Sequence, residues 1–408
     1  MAAFSIALSG LTAASSDLDV TANNVANADT TGFKQSRAEF ADVFAAGAVN
    51  LNTSAIGEGV RLSTTAQQFT QGNISTSGSN LDLAISGDGF FTLQDPSNGI
   101  VYTRNGQFSE DKNGDVVTAT GQALQVYPPT SVGGFNTGAL SNLNLQTAQS
   151  SPLATTGGTV ILNLPAGSTP PTGGAFDPTN PATYNQSTST TVFDSLGNSF
   201  PATFFFTQTA TPGLWNVNMT VNNVLNPTTR QLQFSPTGAV TPPASGALDF
   251  PGFTPTDGAA PMDMNFNFAQ ATQFGGGFGV TSIIQNGFTT GQLSTVSIDP
   301  TGVVSAVYTN GRSTQLGQLA LSNFPDPQGL KQLGDTNWAE TFSSGTHISG
   351  TAGSAGFGSV QSGALEASNV DLTTELVNMI TAQRAFQANA QVITTANQLS
   401  QTVINITH

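Results

Sequence analysis

The chain has 408 residues and is only 8% charged, with nine Lys and Arg against 24 Asp and Glu for a formal net charge of −15. An average soluble chain is about 25% charged and has roughly 100–200 residues per domain, so two or three domains are expected, covered largely by Thr, Ser, Asn, Gln and Gly. The basic residues are scattered from Lys34 to Arg384 without a cluster, which excludes a phosphate-neutralising surface: neither nucleic acid nor an anionic membrane is an expected partner.

Residues 3–27 read as a helix. Phe4, Leu8, Leu11, Ser15, Leu18, Ala22 and Val25 alternate steps of four and three, the spacing of a heptad seam. Gly10 weakens this helix by about 1 kcal/mol relative to Ala. Asn23, Asn24 and Asn27 end it and Gly32 confirms the stop. The first basic residue is Lys34, and Ser5, Ser9 and Gly10 break the apolar stretch Phe4–Leu11. A secretory signal has a basic start and an unbroken apolar run, so the expectation is a chain that stays in the cytoplasm or is exported without a cleaved peptide. No run reaches the roughly 18 apolar residues of a membrane span, and no membrane insertion is expected.

Short strands follow. Leu81–Leu93 is strand-like around Gly87-Asp88-Gly89, and Val101–Thr103 and Val116–Thr118 flank a hairpin carrying Asn113-Gly114. Asp111-Lys112-Asn113-Gly114-Asp115 has the look of a calcium loop, but its Gly stands fourth rather than sixth and Gln122 replaces the closing Glu, so it reads as that hairpin. The chain has no Cys, which excludes disulfides, thiolate metal sites and Cys nucleophiles. Asp82, Asp88 and Asp95 sit among turns, and nothing in the sequence brings two of them across a cleft. No catalytic, cofactor or metal residues are assigned.

Pro and Gly concentrate between about 128 and 182 and again between about 236 and 279, as boundaries and loops of an inserted domain. Thr203–Thr207 and Trp215–Val221 read as strands inside it. Gly275-Gly276-Gly277-Phe278-Gly279 lacks the Lys and Ser/Thr of a phosphate loop and reads as a connector. Val296–Ile298 and Val303–Tyr308 are strands joined by an Asp299-Pro300-Thr301-Gly302 turn. Residues 343–363, rich in Gly, Ser and Thr, read as a linker in which His347 is a solvated loop residue.

Residues 364–407 read as a second, longer helix, capped by Ser368 or Asn369, with Asp371 and Glu375 at the positive end of its dipole. Leu372, Leu376, Met379, Phe386, Ala390 and Ile393 form its stripe. The stripe then shifts by one position to Val392, Ala396, Leu399, Val403 and Ile406, like a stutter in a coiled coil. Neither terminal helix can bury its stripe alone, so the two are expected to pair.

Five blocks in this order carry a resemblance. Ala22–Asn27 with Thr31–Lys34 resembles the N-terminal signature of flagellar rod and hook proteins. Gln71-Gly72 with Leu81–Phe91, then Tyr102–Phe108, are similar to the next two blocks of that family, and Gly363–Leu372 with Met379–Gln387 resemble its C-terminal signature. The signature positions singled out are Asn23, Asn24, Asn27, Gly32, Phe33, Lys34, Gly89, Phe90, Phe91, Arg104, Asn369, Gln383 and Arg384. The blocks cover residues 1–127 and 285–408, and Val192–Asn198 resembles a segment of hook members. Shorter rod members lack so large an insertion, so length points to the hook branch. Phe386 stands where the family often has Tyr.

The resemblance implies a multidomain α+β chain: a coiled-coil stem of terminal helices plus two all-β, sandwich- or barrel-like domains in a nested insertion arrangement. The expected limits are 1–33 and 364–408 for the stem helices, 34–70 and 343–363 for linkers, 71–145 and 285–342 for the inner β domain, and 146–284 for the inserted one. Stem packing is expected from Phe4, Leu8, Leu11, Leu18, Val25, Leu372, Leu376, Met379, Phe386, Ile393, Leu399 and Val403. The implied function is structural, with no cofactor: a homopolymer forming a curved hollow tube that transmits torque as a universal joint. The implied partners are the distal rod protein, the hook cap, the hook–filament junction protein and the flagellar type III export apparatus, and the implied location is extracellular. A distal rod or hook-associated protein of the same family is the alternative. A β-rich surface adhesin and a secreted carbohydrate-active enzyme are the rivals from other classes, and the paired terminal heptads speak against both.

Overall fold

The computed structural model describes residues 2–43, 57–97, 99–146, 150–241 and 246–406. It is mostly β, with one long helix near each end: α1 (Ala2–Ala26) and α2 (Leu372–Ile406). The chain forms two compact units, one of residues 1–146, 295–306 and 313–408, the other of residues 147–294 and 307–312. The second unit thus runs past the expected limit of 284.

In the first unit, α1 packs along α2 and against an antiparallel hairpin of Ser36–Val43 and Gly59–Gln67. That hairpin occupies what sequence composition read as a linker; the intervening 44–56 lie outside the described residues. The β body is a sheet whose order runs Ser313–Asn323, Ala123–Tyr127, Phe90–Gln94, Ile100–Thr103, Asn337–Ala339 and Lys331–Gly334. Adjacent side chains on a strand point to opposite faces, and Phe90 and Phe91 show it. Phe91 is buried with Leu83, Ile85, Leu93, Leu124 and Leu319, while Phe90 joins a second cluster with Tyr102, Phe324 and Trp338.

The expected linker 343–363 is likewise structured. Ile348–Thr351 pairs with Ser313–Asn323, and Ser359–Ser362 pairs with Leu83–Ser86. Val360 and Ala352 are buried there; the small residues that suggested a linker are what let this strand lie close to its neighbours. The Asn113-Gly114 turn joins Ser109–Glu110 to Val116–Val117, and the Asp111 carboxylate accepts from the Asn113 and Asp115 N–H groups. The last helix starts later than expected. Ala364–Glu366 is a strand paired with Ile74–Thr76, and the cap is Asp371, whose carboxylate accepts from Thr374 N–H at 3.0 Å, rather than Ser368 or Asn369.

The second unit has two sheets sharing one core. An antiparallel meander runs Gln186–Phe193, Ser199–Gln208, Leu214–Val221, Arg230–Phe234 and Val240–Thr241, and the other sheet is built around Gly157–Pro165. Strict alternation makes the core: Val160, Leu162 and Leu164 point inward from one strand, Met262, Met264 and Phe266 from its parallel neighbour, and Phe204, Phe206, Trp215 and Val217 from the meander.

Candidate functional site

On the α1 side, the seam between the terminal helices is built from small and polar side chains. On α1 the buried positions are Ala7, Ala14, Thr21 and Asn24, a heptad one residue out of phase with the expected stripe. One residue is about 100° around a helix, so Phe4 and Leu8 are exposed, while Leu11, Leu18 and Val25 are half-buried. Gly10 explains the choice of phase: a Cβ there would meet Asn389 Oδ1 of α2 at 2.7 Å. Close helix approach selects small residues, whereas a search for the largest apolar side chains selects the neighbouring face.

On α2 the less exposed row is Glu375, Met379, Ala382, Phe386, Asn389, Ile393 and Ala396. Its steps of four and three continue to Ala396, so the one-position shift expected at Val392 is not needed there. Met379, Phe386 and Ile393 lie on this row. Leu372, Leu376 and Leu399 do not; they are exposed, with Val377, Ile380 and Val392. The side chain of Val403 lies outside the described residues. Together Leu8, Ala13, Val60 and Leu62 also line an open groove between α1 and the hairpin.

Where the helices meet the β body, two buried carboxylates hold the signature residues. Glu366 is fully buried. Its Oε1 accepts from Lys34 Nζ at 2.6 Å and from Gly72 N–H at 2.9 Å, and its Oε2 accepts from Arg104 at 3.2 Å. Lys34 also donates to Thr70 O, and Arg104 to Gly87 O, both at 2.8 Å. Burial pushes Lys34 and Arg104 below their ordinary values, and the Glu366 carboxylate opposes both shifts. Gly32 completes the approach. It donates its N–H to Glu366 O at 2.8 Å, and its positive φ of 71° places it where a Cβ would strike the Arg104–Asn105 backbone.

Glu375 is the second hub. Its Oε2 accepts from Asn24 Nδ2 at 3.1 Å and its Oε1 from Gln35 Nε2 at 2.8 Å. Asn24 also pairs with both backbone groups of Ser36, at 2.7 and 2.9 Å, imitating a strand neighbour. Asn369 does the same work from the other terminus, accepting from Gln35 N–H at 2.7 Å and donating to Gln68 O at 2.8 Å. The Glu375 charge and, more strongly, burial raise the Asp17 carboxyl.

Asn24, Gly32, Lys34, Arg104 and Asn369 are thus gathered into one clamp. Asn23, Asn27 and Phe33 line an adjacent cleft with Trp338. Gly89 turns the chain with a φ of 117° into Phe90 and Phe91. Gln383 and Arg384 are exposed on α2 and join neither cluster. Sequence reading did not single out Glu366 as a hub. The available signal was its charge, in a chain that is only 8% charged, within a block of small and apolar residues.

The arrangement fits mechanical joining. Each oxygen of Glu366 and Glu375 is occupied by a donor, leaving neither poised as a base. Among the described residues no group of three or more His, Cys, Asp or Glu could hold a metal, and no helix is long and apolar enough to cross a membrane.

Comparisons with known proteins agree along the whole chain. Residues 4–34 match the flagella basal body rod protein family, 84–162 the flagellar hook protein FlgE/F/G D1 domain, 163–288 the flagellar basal body protein FlaE D2 domain and 361–406 the flagellar basal body rod FlgEFG protein C-terminal family. The flagellar hook protein FlgE of Escherichia coli K12 is 38% identical, over 99% of this chain and 100% of its own length. That of Salmonella typhimurium LT2 is 37% identical over 99% of each, and that of Rhizobium meliloti 32% identical over 98% and 97%. The crystal structure of Helicobacter pylori flagellar hook protein FlgE2 aligns with a TM-score of 0.54 at 13% identity, covering 72% of this chain and all of that one, a likeness of fold. The chain therefore belongs to the flagellar hook protein family, and it is a structural subunit of the flagellar hook and not an enzyme.

Proposed function

We propose that α1 and α2 form a coiled-coil stem that packs against the stems of other copies in a hollow tube. In this reading the two β units are nested, the second inserted in the first, and the tube is curved and transmits torque as a universal joint. The subunit leaves by the flagellar type III export apparatus without a cleaved signal. It assembles on the distal rod protein beneath the hook cap and ends at the hook–filament junction protein.

One observation carries the reading. Phe4, Leu8, Leu372, Leu376, Val377, Ile380, Val392 and Leu399 are all exposed on two helices whose inner rows are already paired. That many large apolar side chains on so small a portion of one chain mark a surface covered by something else. The distal rod, cap, junction and export partners rest on family membership.

Leu376→Asp tests it. Leu376 is 49% exposed, so the free subunit should keep its melting temperature. Burial of an unpaired charge between stems costs several kcal/mol, so hooks should fail to form and motility should be lost. Normal hooks from this variant would refute the stem-to-stem contact, and a sharply lowered melting temperature would make Leu376 part of the chain's own core.

A further inference from the structure

The chain's internal histidine is exposed in a loop, as expected, and it is also partnered. His347 Nδ1 lies 2.6 Å from Glu340 Oε2, and its ring centre is 5.8 Å from that of the buried Tyr102. This hydrogen-bonded contact closes the base of a loop spanning residues 340–347. Inside the loop, Thr341 Oγ1 donates to Gly329 O at 2.6 Å and accepts from the N–H groups of Ser343 and Ser344 at 3.1 and 3.2 Å. Ser344, fully buried, returns its hydroxyl to Thr341 O at 2.9 Å, and its Oγ accepts from Thr341 N–H at 2.9 Å. Gly345 turns the chain with a φ of 71°.

At the apex stands Phe342, 103% exposed. Single exposed apolar residues are ordinary on protein surfaces. This one differs in how it is held. The cluster of Phe69, Phe90, Tyr102, Phe324 and Trp338 lies in the same unit, yet the loop's hydrogen bonds direct the ring into solvent instead. An aromatic on a backbone held this way loses little backbone freedom on docking, which favours an interface anchor. In the tube proposed above, on which this inference rests, the neighbouring body is another copy of the chain. With so few charges on the chain, copies must be gripped largely by apolar and uncharged polar contacts. A knob seated in a different surface of the next copy is a heterologous contact, which propagates along a filament instead of closing a dimer.

We propose that Phe342 is an anchor between copies: its ring inserts into a neighbouring subunit of the hook, and the Glu340–His347 pair and the Thr341–Ser344 hydrogen bonds hold it ready. The proposal rests on assembly of copies into the tube but not on the stem contact: Phe342 stands in the loop of residues 340–347 and Leu376 on α2.

The absence of Cys from the chain makes the test direct. A Phe342→Cys chain is labelled with a maleimide, as free subunit and in hooks isolated from cells. The thiol should react at least tenfold more slowly in hooks. A photo-crosslinking benzoylphenylalanine at position 342 should join two copies of this chain in isolated hooks. Phe342→Ala should keep the free subunit's melting temperature, and its hooks should either dissociate at least tenfold faster on warming or fail to form. A thiol equally reactive in both states overturns the proposal. So do crosslinks solely to a different polypeptide, and Phe342→Ala hooks that dissociate at the parent rate.

Discussion

Glu366 Oε1 and Lys34 Nζ are 2.6 Å apart with both side chains buried, although 332 positions separate them in the chain. Arg104, from the β body, shares the same carboxylate. One acidic side chain thus joins the segment after α1, the segment before α2 and the sheet between them. Three donors on one buried carboxylate leave it few alternative geometries.

Glu366→Ala leaves two buried cations facing each other without their anion. Removing one partner of a buried pair costs about 3–5 kcal/mol, so the first unit should unfold at markedly lower denaturant concentration. Lys34→Met should cost less, because Arg104 keeps its carboxylate and the methionine fills the same space. Denaturant melts of the three proteins check the order. Equal losses for the two variants would show that the site acts by packing alone.

Asp17 gives the terminal helices a pH dependence. Burial and the Glu375 charge raise its carboxyl above the ordinary 3.8. The folded form therefore favours the protonated acid, and the ionised acid costs stability at neutral pH. That cost fades as pH falls through the raised folded value and is gone below 3.8. The groups around it are Glu375, Asn24, Gln35, Asn378 and Arg37, and Arg37 is itself paired with Glu39 at 2.8 Å. Asp17→Asn should accordingly melt higher than the parent at pH 7, with the gap closing on acidification toward pH 4. A gap that widens on acidification would contradict this account.

Alternation and turn chemistry made the β elements readable. Thr203–Thr207, Trp215–Val221 and Val303–Tyr308 all lie in observed strands, and the Asn113-Gly114 and Asp299–Gly302 turns stand where their residues require. The helices were legible as elements, but their facing was not. Phe4, Leu8, Leu372 and Leu376 outrank Ala7, Gly10, Ala14 and Ala382 on any hydrophobic scale, yet the closest contact belongs to the small ones. In a chain that assembles, hydrophobicity marks faces buried between copies as readily as faces buried within one. Glu366 was hidden for a different reason. Its partners are distant in sequence, and only the pairing of Ala364–Glu366 with Ile74–Thr76 points it inward.

Most of the second unit is the continuous stretch 147–294, and its removal allows the unit's role to be tested. Ser150 and Gly291 are bridged, with Ser150 N–H donating to Gly291 O at 2.8 Å, so the two ends of that stretch meet. Paired residues on antiparallel strands have Cα atoms about 4.5–5.5 Å apart, a gap that a short Gly/Ser link spans. The core of that unit, Phe204, Phe206, Trp215, Phe250 and Phe266 among others, is a hydrophobic cluster separate from the cluster around Leu83, Phe91 and Leu319, so the first unit should still fold. In a bent rotating tube each row of subunits lengthens and shortens once per turn, and strain in a bent rod grows with radius. If contacts between copies of the second unit take up that strain, they set curvature while the terminal helices set continuity. Replacing residues 151–290 with a Gly/Ser bridge should therefore leave tubes that form but are straighter or less stable in curvature, with flagella that are built and swim poorly. Electron micrographs of isolated hooks and swimming assays read both outcomes. Normal curvature and full motility would assign bending to the first unit, and loss of tubes with a folded first unit would show that the insertion is needed for assembly itself.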